Sequence, residues 1–192
     1  KDMTQEEAAD KSNRPLPEYL QVALLAIDTK SGAIRTLVGG RNYDHSAFDR
    51  TTLARRKTGT AFTPFVYATG FSQGMFPGSK VNDFPIDAKY VQIGALRGIL
   101  GEWGVEGKYE RENWITARAA LVRGKNAATV RFGIDLGVDP VIDMAKDAGM
   151  TFEGELQKYN ASFLGHSEVS MEELALGYTI FPNAGRRPKE AV

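Results

Sequence analysis

Two spacings of apolar residues organise this chain. Gln21-Val22-Ala23-Leu24-Leu25-Ala26-Ile27-Asp28 is a short, continuous apolar run, the pattern of a strand covered on both faces. Thr29-Lys30-Ser31-Gly32 follows as a turn, with Gly32 free to take positive φ. Ala33 to Val38 returns and Gly39-Gly40 ends it, so residues 20–40 are expected to form a β-hairpin. The spacing then changes. Phe62, Phe65, Val66, Ala68 and Thr69 recur with helical spacing after an opening Gly59-Thr60. Trp114 to Leu121 reads as another helix. Asp139-Pro140 supplies an N-cap and a first-turn proline for the next, which Gly149 ends. Ser170 and Glu173 form a capping box for the last helix, which carries Leu174, Leu176, Tyr178 and Phe181 and stops at Asn183-Ala184-Gly185. Polar stretches punctuate these elements. Residues 1–18, with Pro15 and Pro17, read as a linker or disordered segment. Arg41 to Arg56 reads as a loop whose basic residues are solvated. The pattern implies an α/β (α+β) domain, an antiparallel sheet packed against a helical cluster. Phe62, Phe65, Tyr67, Phe71, Tyr178 and Phe181 are its simplest core aromatics.

Composition narrows the function classes. The 192 residues include 24 basic and 24 acidic side chains, which gives no broad electrostatic case for nucleic acid or an anionic membrane surface. There is no cysteine, so disulfides, zinc-thiolate sites and thiol catalysis are excluded. The longest unbroken apolar run, Val22 to Ile27, is far short of a membrane span. No signal peptide is visible. The chain starts at Lys1, as an excised fragment would, and any membrane anchor of a parent protein is expected outside it. His45 and His166 are far apart and lack an i+4 partner, so neither a metal site nor a cofactor is expected.

The candidate chemistry lies in Lys57-Thr58-Gly59-Thr60-Ala61-Phe62-Thr63-Pro64-Phe65-Val66-Tyr67-Ala68. Thr60 stands where a nucleophile at the head of a buried helix would stand. Backbone N–H groups there are unpaired, and the dipole favours developing negative charge. A lysine at i+3 could take the hydroxyl proton, but that position is Thr63. The stretch resembles the transpeptidase domain of class A bifunctional penicillin-binding proteins, whose first motif reads close to Gly-Ser-x-Phe-Lys-Pro-Phe-x-Tyr. Gly59, Phe62, Pro64, Phe65 and Tyr67 match it. The family Ser is Thr60, and the family Lys is Thr63.

The resemblance extends over about residues 20–190. The hairpin has the family's Ile-Asp and Gly-Gly, and Tyr43-Asp44-His45-Ser46-Ala47-Phe48-Asp49-Arg50 is similar to the family loop after it. Val81 to Ile86 matches a connection of Asp-x-Pro type and is expected as a surface loop. Trp103 and Tyr109 to Asn113 match loosely. Gly124-Lys125-Asn126 falls on the second family motif, Ser-x-Asn, with the Ser position at Gly124. Its Ser relays protons, and its Asn holds the substrate amide. Leu164-Gly165 and Glu168-Val169-Ser170 match a later stretch. The third motif, Lys-Thr-Gly, does not follow, so residues 19–192 are expected to form a partial transpeptidase-like (β-lactamase-like) domain without its C-terminal strands. The resemblance implies a degenerate, non-catalytic structural or interaction module of a peptidoglycan-related protein. Its expected place is the cell envelope, on the periplasmic side of the inner membrane, with stem peptides or envelope proteins as partners. Two alternatives stand beside it: a divergent D,D-transpeptidase with Thr60 as nucleophile, and a non-covalent binder of stem peptides or β-lactams at Asn126. Lys57 and Lys125 are the amines available to replace the lost base. A plain structural reading makes Thr60 and Thr63 helix-cap and core-facing hydroxyls and Asn126 a helix cap.

Overall fold

The structure, a computed structural model, describes residues 18–84, 114–152 and 159–188. Almost all of the linker read at 1–18, together with Pro85, Ile86, Trp103 and the stretch 109–113, lies outside those residues. The chain divides into two compact units. One comprises residues 1–56, 148–152 and 168–192, and the other 57–147 and 153–167.

In the first unit the expected hairpin forms. Strand β1 (Leu24–Ile27) pairs antiparallel with β2 (Ile34–Val38), with Leu24 opposite Val38 and Ala26 opposite Thr36. The Asp28 carboxylate closes the turn by accepting from the Ser31 amide at 2.9 Å, the Ser31 hydroxyl at 2.9 Å and the Lys30 amide at 3.1 Å. Gly32 takes φ 80°. The strand is not covered on both faces, however. Val22 is 59% exposed and Leu24 53%, and Leu20 and Val38 beside them are also exposed. Among the described residues the sheet has two strands. The last helix packs against β1 and leaves those side chains exposed. A continuous apolar run marks a strand but does not supply the layers that would bury it.

Strand β3 (Arg55–Lys57) pairs with β6 (Glu168–Ser170), which leads directly into helix α5 (Met171–Tyr178). The capping box is present: the Ser170 hydroxyl accepts from the Glu173 amide at 3.1 Å, and the Glu173 carboxylate accepts from the Ser170 amide at 2.9 Å. Glu173 also accepts a hydrogen bond from the Thr151 hydroxyl and lies 3.2 Å from the Arg55 guanidinium. Arg55 and Arg50 are therefore not solvated loop residues. Arg55 is largely buried in that ion pair, and Arg50 donates to the carbonyls of Gly39 and Phe48. A cation is tolerated inside where such acceptors meet it. Helix α5 stops at Tyr178, before the expected Asn183. Phe181 is 41% exposed and packs edge-on against Tyr178 instead of entering the core.

The second unit is a cluster of helices. Among the described residues they are α1 (Thr63–Ser72), α2 (Ala117–Val122), α3 (Asn126–Leu136) and α4 (Val138–Asp147). Two 3-10 turns, Gly59–Phe62 and Asn160–Leu164, join them. Phe62, Phe65, Val66, Tyr67, Val130, Phe132, Val141 and Phe163 are fully buried among them. Gly70 and Gly133 let the helices close up, because a Cβ at either would run into the rings of Phe132 and Phe163. Helix α4 begins at Val138, so Asp139 lies in its first turn and is not its N-cap.

Two readings of this unit need correction. Trp114–Thr116 is not helix but strand β5, antiparallel to β4 (Lys80–Asn82). Thr116 is extended (φ −79°, ψ 151°), and its hydroxyl accepts from the Ala119 amide at 3.1 Å, so α2 starts one residue later. Replacing Thr116 by alanine is expected to destabilise this unit by about 1 kcal/mol, read as a shift in the urea midpoint at unchanged slope. Val81 to Asp83 is not a surface loop either: Val81 is 5% and Asp83 4% exposed. The reason is that Asp83 has an ionic partner inside, described next.

Candidate functional site

The site is built on the head of α1. Gly59 turns the chain with φ 56°, and its amide donates to the Gly165 carbonyl at 3.1 Å. The Thr58 hydroxyl reaches the same carbonyl at 3.4 Å. Thr60 follows in the 3-10 turn and is exposed. Below it Phe62, Phe65 and Val66 anchor the turn and helix in the core. The Thr63 hydroxyl donates to the Thr60 carbonyl oxygen at 3.0 Å. The position that would carry a base therefore holds a hydroxyl turned back on the backbone. Among the described residues no hydrogen bond is made to the Thr60 hydroxyl.

Helix α3 packs against α1. Tyr67 meets Thr129, and one turn on, Gly70 and Phe71 meet Phe132. One turn back from Tyr67 and Thr129 stand Thr63 and Asn126. Asn126 is the first residue of α3 and is buried. The helix cap is Lys125, with no side-chain cap bond, so Asn126 does not serve as a cap. Gly124 precedes them in left-handed conformation, φ 62°, with open space where a Cβ would be. The structure thus joins Thr60 to Thr63 directly and sets Asn126 on the adjacent helix. No hydrogen bond links Asn126 to either threonine among the described residues.

Both lysines that could replace the base are engaged. The Lys57 ammonium is 3.4 Å from Nε2 of His166. The Lys125 ammonium is 3.4 Å from the Asp83 carboxylate. Tyr67 is no base either. Burial pushes its phenol up to about 12, with the negative charge of Asp83 adding to the effect. His45 accepts or donates a hydrogen bond with the Tyr19 hydroxyl at 2.8 Å. No group of three or more metal-ligating side chains occurs among the described residues, and no helix among them is long and apolar enough to cross a membrane. The residue that sequence reasoning missed is Asp83. An aspartate before Phe84-Pro85 reads as part of a turn, and nothing local marks a lysine 42 residues later as its partner.

No family model matches the chain. Its relatives include penicillin-binding protein 1A of Neisseria cinerea, 33% identical over 168 residues, which is 88% of this chain and 20% of that protein. Another is penicillin-binding protein 1A of Rickettsia bellii, 31% identical over 176 residues, 92% of this chain and 21% of that one. The chain thus spans about a fifth of the length of these relatives. The fold is shared with penicillin-binding protein 1A from Haemophilus influenzae, with TM-score 0.68 and 23% identity over 85% of this chain and 23% of the other. It is shared as well with PonA1 from Mycobacterium tuberculosis in complex with penicillin V, with TM-score 0.69 and 22% identity over 88% of this chain and 45% of the other. In sequence and in fold this chain belongs to the penicillin-binding protein family, as a transpeptidase-like segment.

Proposed function

We propose that this chain is a non-acylating transpeptidase-like module of a peptidoglycan-related cell-envelope protein, acting as a structural or interaction domain. The observation that carries this reading is the hydrogen bond from the Thr63 hydroxyl to the Thr60 carbonyl. It occupies the position of the lost base, while Lys57 and Lys125 are engaged with His166 and Asp83. A threonine hydroxyl cannot act as a base at neutral pH, and general-base help is typically worth ~100- to 10,000-fold. At the relay position Gly124 has no side chain to pass a proton. The extra methyl of Thr60 further crowds attack and stiffens χ1. In this reading the parent protein is membrane-anchored, with this module on the extracytoplasmic side of the inner membrane, and its partners are stem peptides or other envelope proteins.

A second reading is reversible binding of a stem peptide or β-lactam. It is favoured by the buried Asn126 on the helix beside Thr63 and by the penicillin V held by one structural relative. Exposure of the chain to a fluorescent penicillin, followed by intact mass measurement, tests both. An unshifted mass is expected, for the wild type and for Thr63→Lys alone. Saturable fluorescence without a mass shift would support the binding reading. Stoichiometric labelling mapped to Thr60 would sink the non-acylating proposal and establish a divergent D,D-transpeptidase.

A further inference from the structure

We propose that Asp83 is a positioning residue for this site, acting through Lys125, Thr129 and Tyr67 to hold the Gly124–Asn126 loop in register with the start of α1. The inference rests on the reading of Thr60, Thr63 and Asn126 as one site.

The chain of contacts is continuous and crosses four elements. Asp83, just past β4, is almost wholly buried, and its Oδ2 is 3.4 Å from the Lys125 ammonium. Lys125 is held on its backbone as well. Its amide donates to the Ala120 carbonyl at 2.9 Å, and its carbonyl accepts from the Thr129 amide at 2.9 Å and from the Thr129 hydroxyl at 2.9 Å. That hydroxyl is 3.0 Å from the Tyr67 hydroxyl. Thr129 has one hydroxyl proton, and it is committed to the Lys125 carbonyl. Tyr67 must therefore donate to Thr129. Tyr67 lies one turn below Thr63 on α1 and stacks on Phe132 of α3, with ring centroids 4.7 Å apart.

The Asp83–Lys125 and Tyr67–Thr129 links join parts distant in sequence, and Tyr67 and Thr129 are both buried. A buried ion pair adds little stability over a well-packed apolar pair, but removing one partner strands the other charge. Its use is to favour one arrangement over others. The arrangement it favours here is the packing of α3, which Asn126 begins, against α1. Among the described residues Oδ1 of Asp83 accepts no hydrogen bond, so Lys125 is the contact that directs this carboxylate.

Amide hydrogen exchange on the full chain tests the proposal, with Asp83→Asn, Lys125→Met and Lys125→Arg, and with Thr129→Val against Thr129→Ser. Asp83→Asn and Lys125→Met are expected to speed exchange in residues 60–67 and 124–130 by roughly tenfold to a hundredfold. The hairpin at 24–38 should keep its protection. Lys125→Arg retains the ion pair and should restore the wild-type pattern. Thr129→Val cuts the link to Tyr67 and should loosen 63–67, whereas Thr129→Ser should not. Acceleration spread evenly over the chain, or no acceleration, would overturn the positioning role. Should Asp83→Asn fail to fold, the Thr129 pair decides: equal protection in the valine and serine variants overturns the proposal. These rates are independent of acylation, so penicillin labelling at Thr60 would end the preceding proposal without changing them.

Discussion

An alanine at Gly165 is expected to destabilise the second unit by roughly 2–5 kcal/mol. Gly165 ends the 3-10 turn at Asn160–Leu164 in left-handed conformation, φ 70° and ψ 42°. A side chain there costs about 1–2 kcal/mol from backbone sterics alone. Space adds to it. A Cβ would overlap the Gly59 backbone and the Thr58 hydroxyl, and those groups are tied to the Gly165 carbonyl by two hydrogen bonds. Neither side can give without opening the turn that carries Thr60, and overpacking of this kind typically adds ~1–3 kcal/mol. Gly124 is the control. It is also left-handed, but a Cβ there meets nothing within 4 Å, so Gly124→Ala should cost only about 1 kcal/mol. Urea unfolding of the two variants checks this. Equal losses would mean that the close approach of Gly165 to Gly59 has no energetic weight. Gly124→Ser would carry the same backbone strain, so restoring the family's relay hydroxyl has a conformational cost beyond the missing base.

The second large effect belongs to Glu173. Glu173→Ala removes one partner of a largely buried ion pair and half of a capping box at once. Breaking a buried pair typically costs ~3–5 kcal/mol. Because both side chains retain some exposure, the lower end, about 3 kcal/mol, is expected. Glu173→Gln keeps the shape and should lose less. The same residue gives a pH dependence. Burial alone would raise its pKa, but the hydrogen bonds from Thr151 and the Ser170 amide, together with Arg55, outweigh it and hold the carboxyl below its ordinary 4.5. A carboxyl lowered on folding stabilises fully above its unfolded pKa, and that contribution is lost as pH falls through the folded value. Stability should therefore drop on acidification below about pH 4.5, and in Glu173→Gln this part of the slope should disappear. A wild-type slope in the variant would assign the acid sensitivity to other carboxylates.

What could be read from the sequence was what local chemistry determines. The hairpin follows from an apolar run, a Gly32 turn and a return strand, and the α5 start follows from Ser170 and Glu173 three residues apart. The head of α1 was legible in Gly59, Pro64 and the aromatic spacing. What stayed hidden depends on partners distant in the chain. Three-residue strands such as β3 and β5 are too short to show alternation, and Trp114–Thr116 was absorbed into the helix it precedes. Asp83 and Arg55 are charged residues that look solvated until Lys125 and Glu173 are found beside them. At the site, the identities of Thr60, Thr63, Gly124 and Asn126 were readable, but the direction of the Thr63 hydroxyl was not. Nor was the left-handed turn at Gly124, since glycine adopts it without any sequence mark.

The bare side of the hairpin governs how this chain behaves at high concentration. Leu20, Val22, Leu24 and Val38 form an oily strip beside strand margins whose amides and carbonyls can zip onto another molecule. Turbidity at high concentration with the packed helices intact is the expected sign of such association. The net charge vanishes near pH 7.0, so association through the strip is expected to be strongest in a buffer at that pH and weaker away from it.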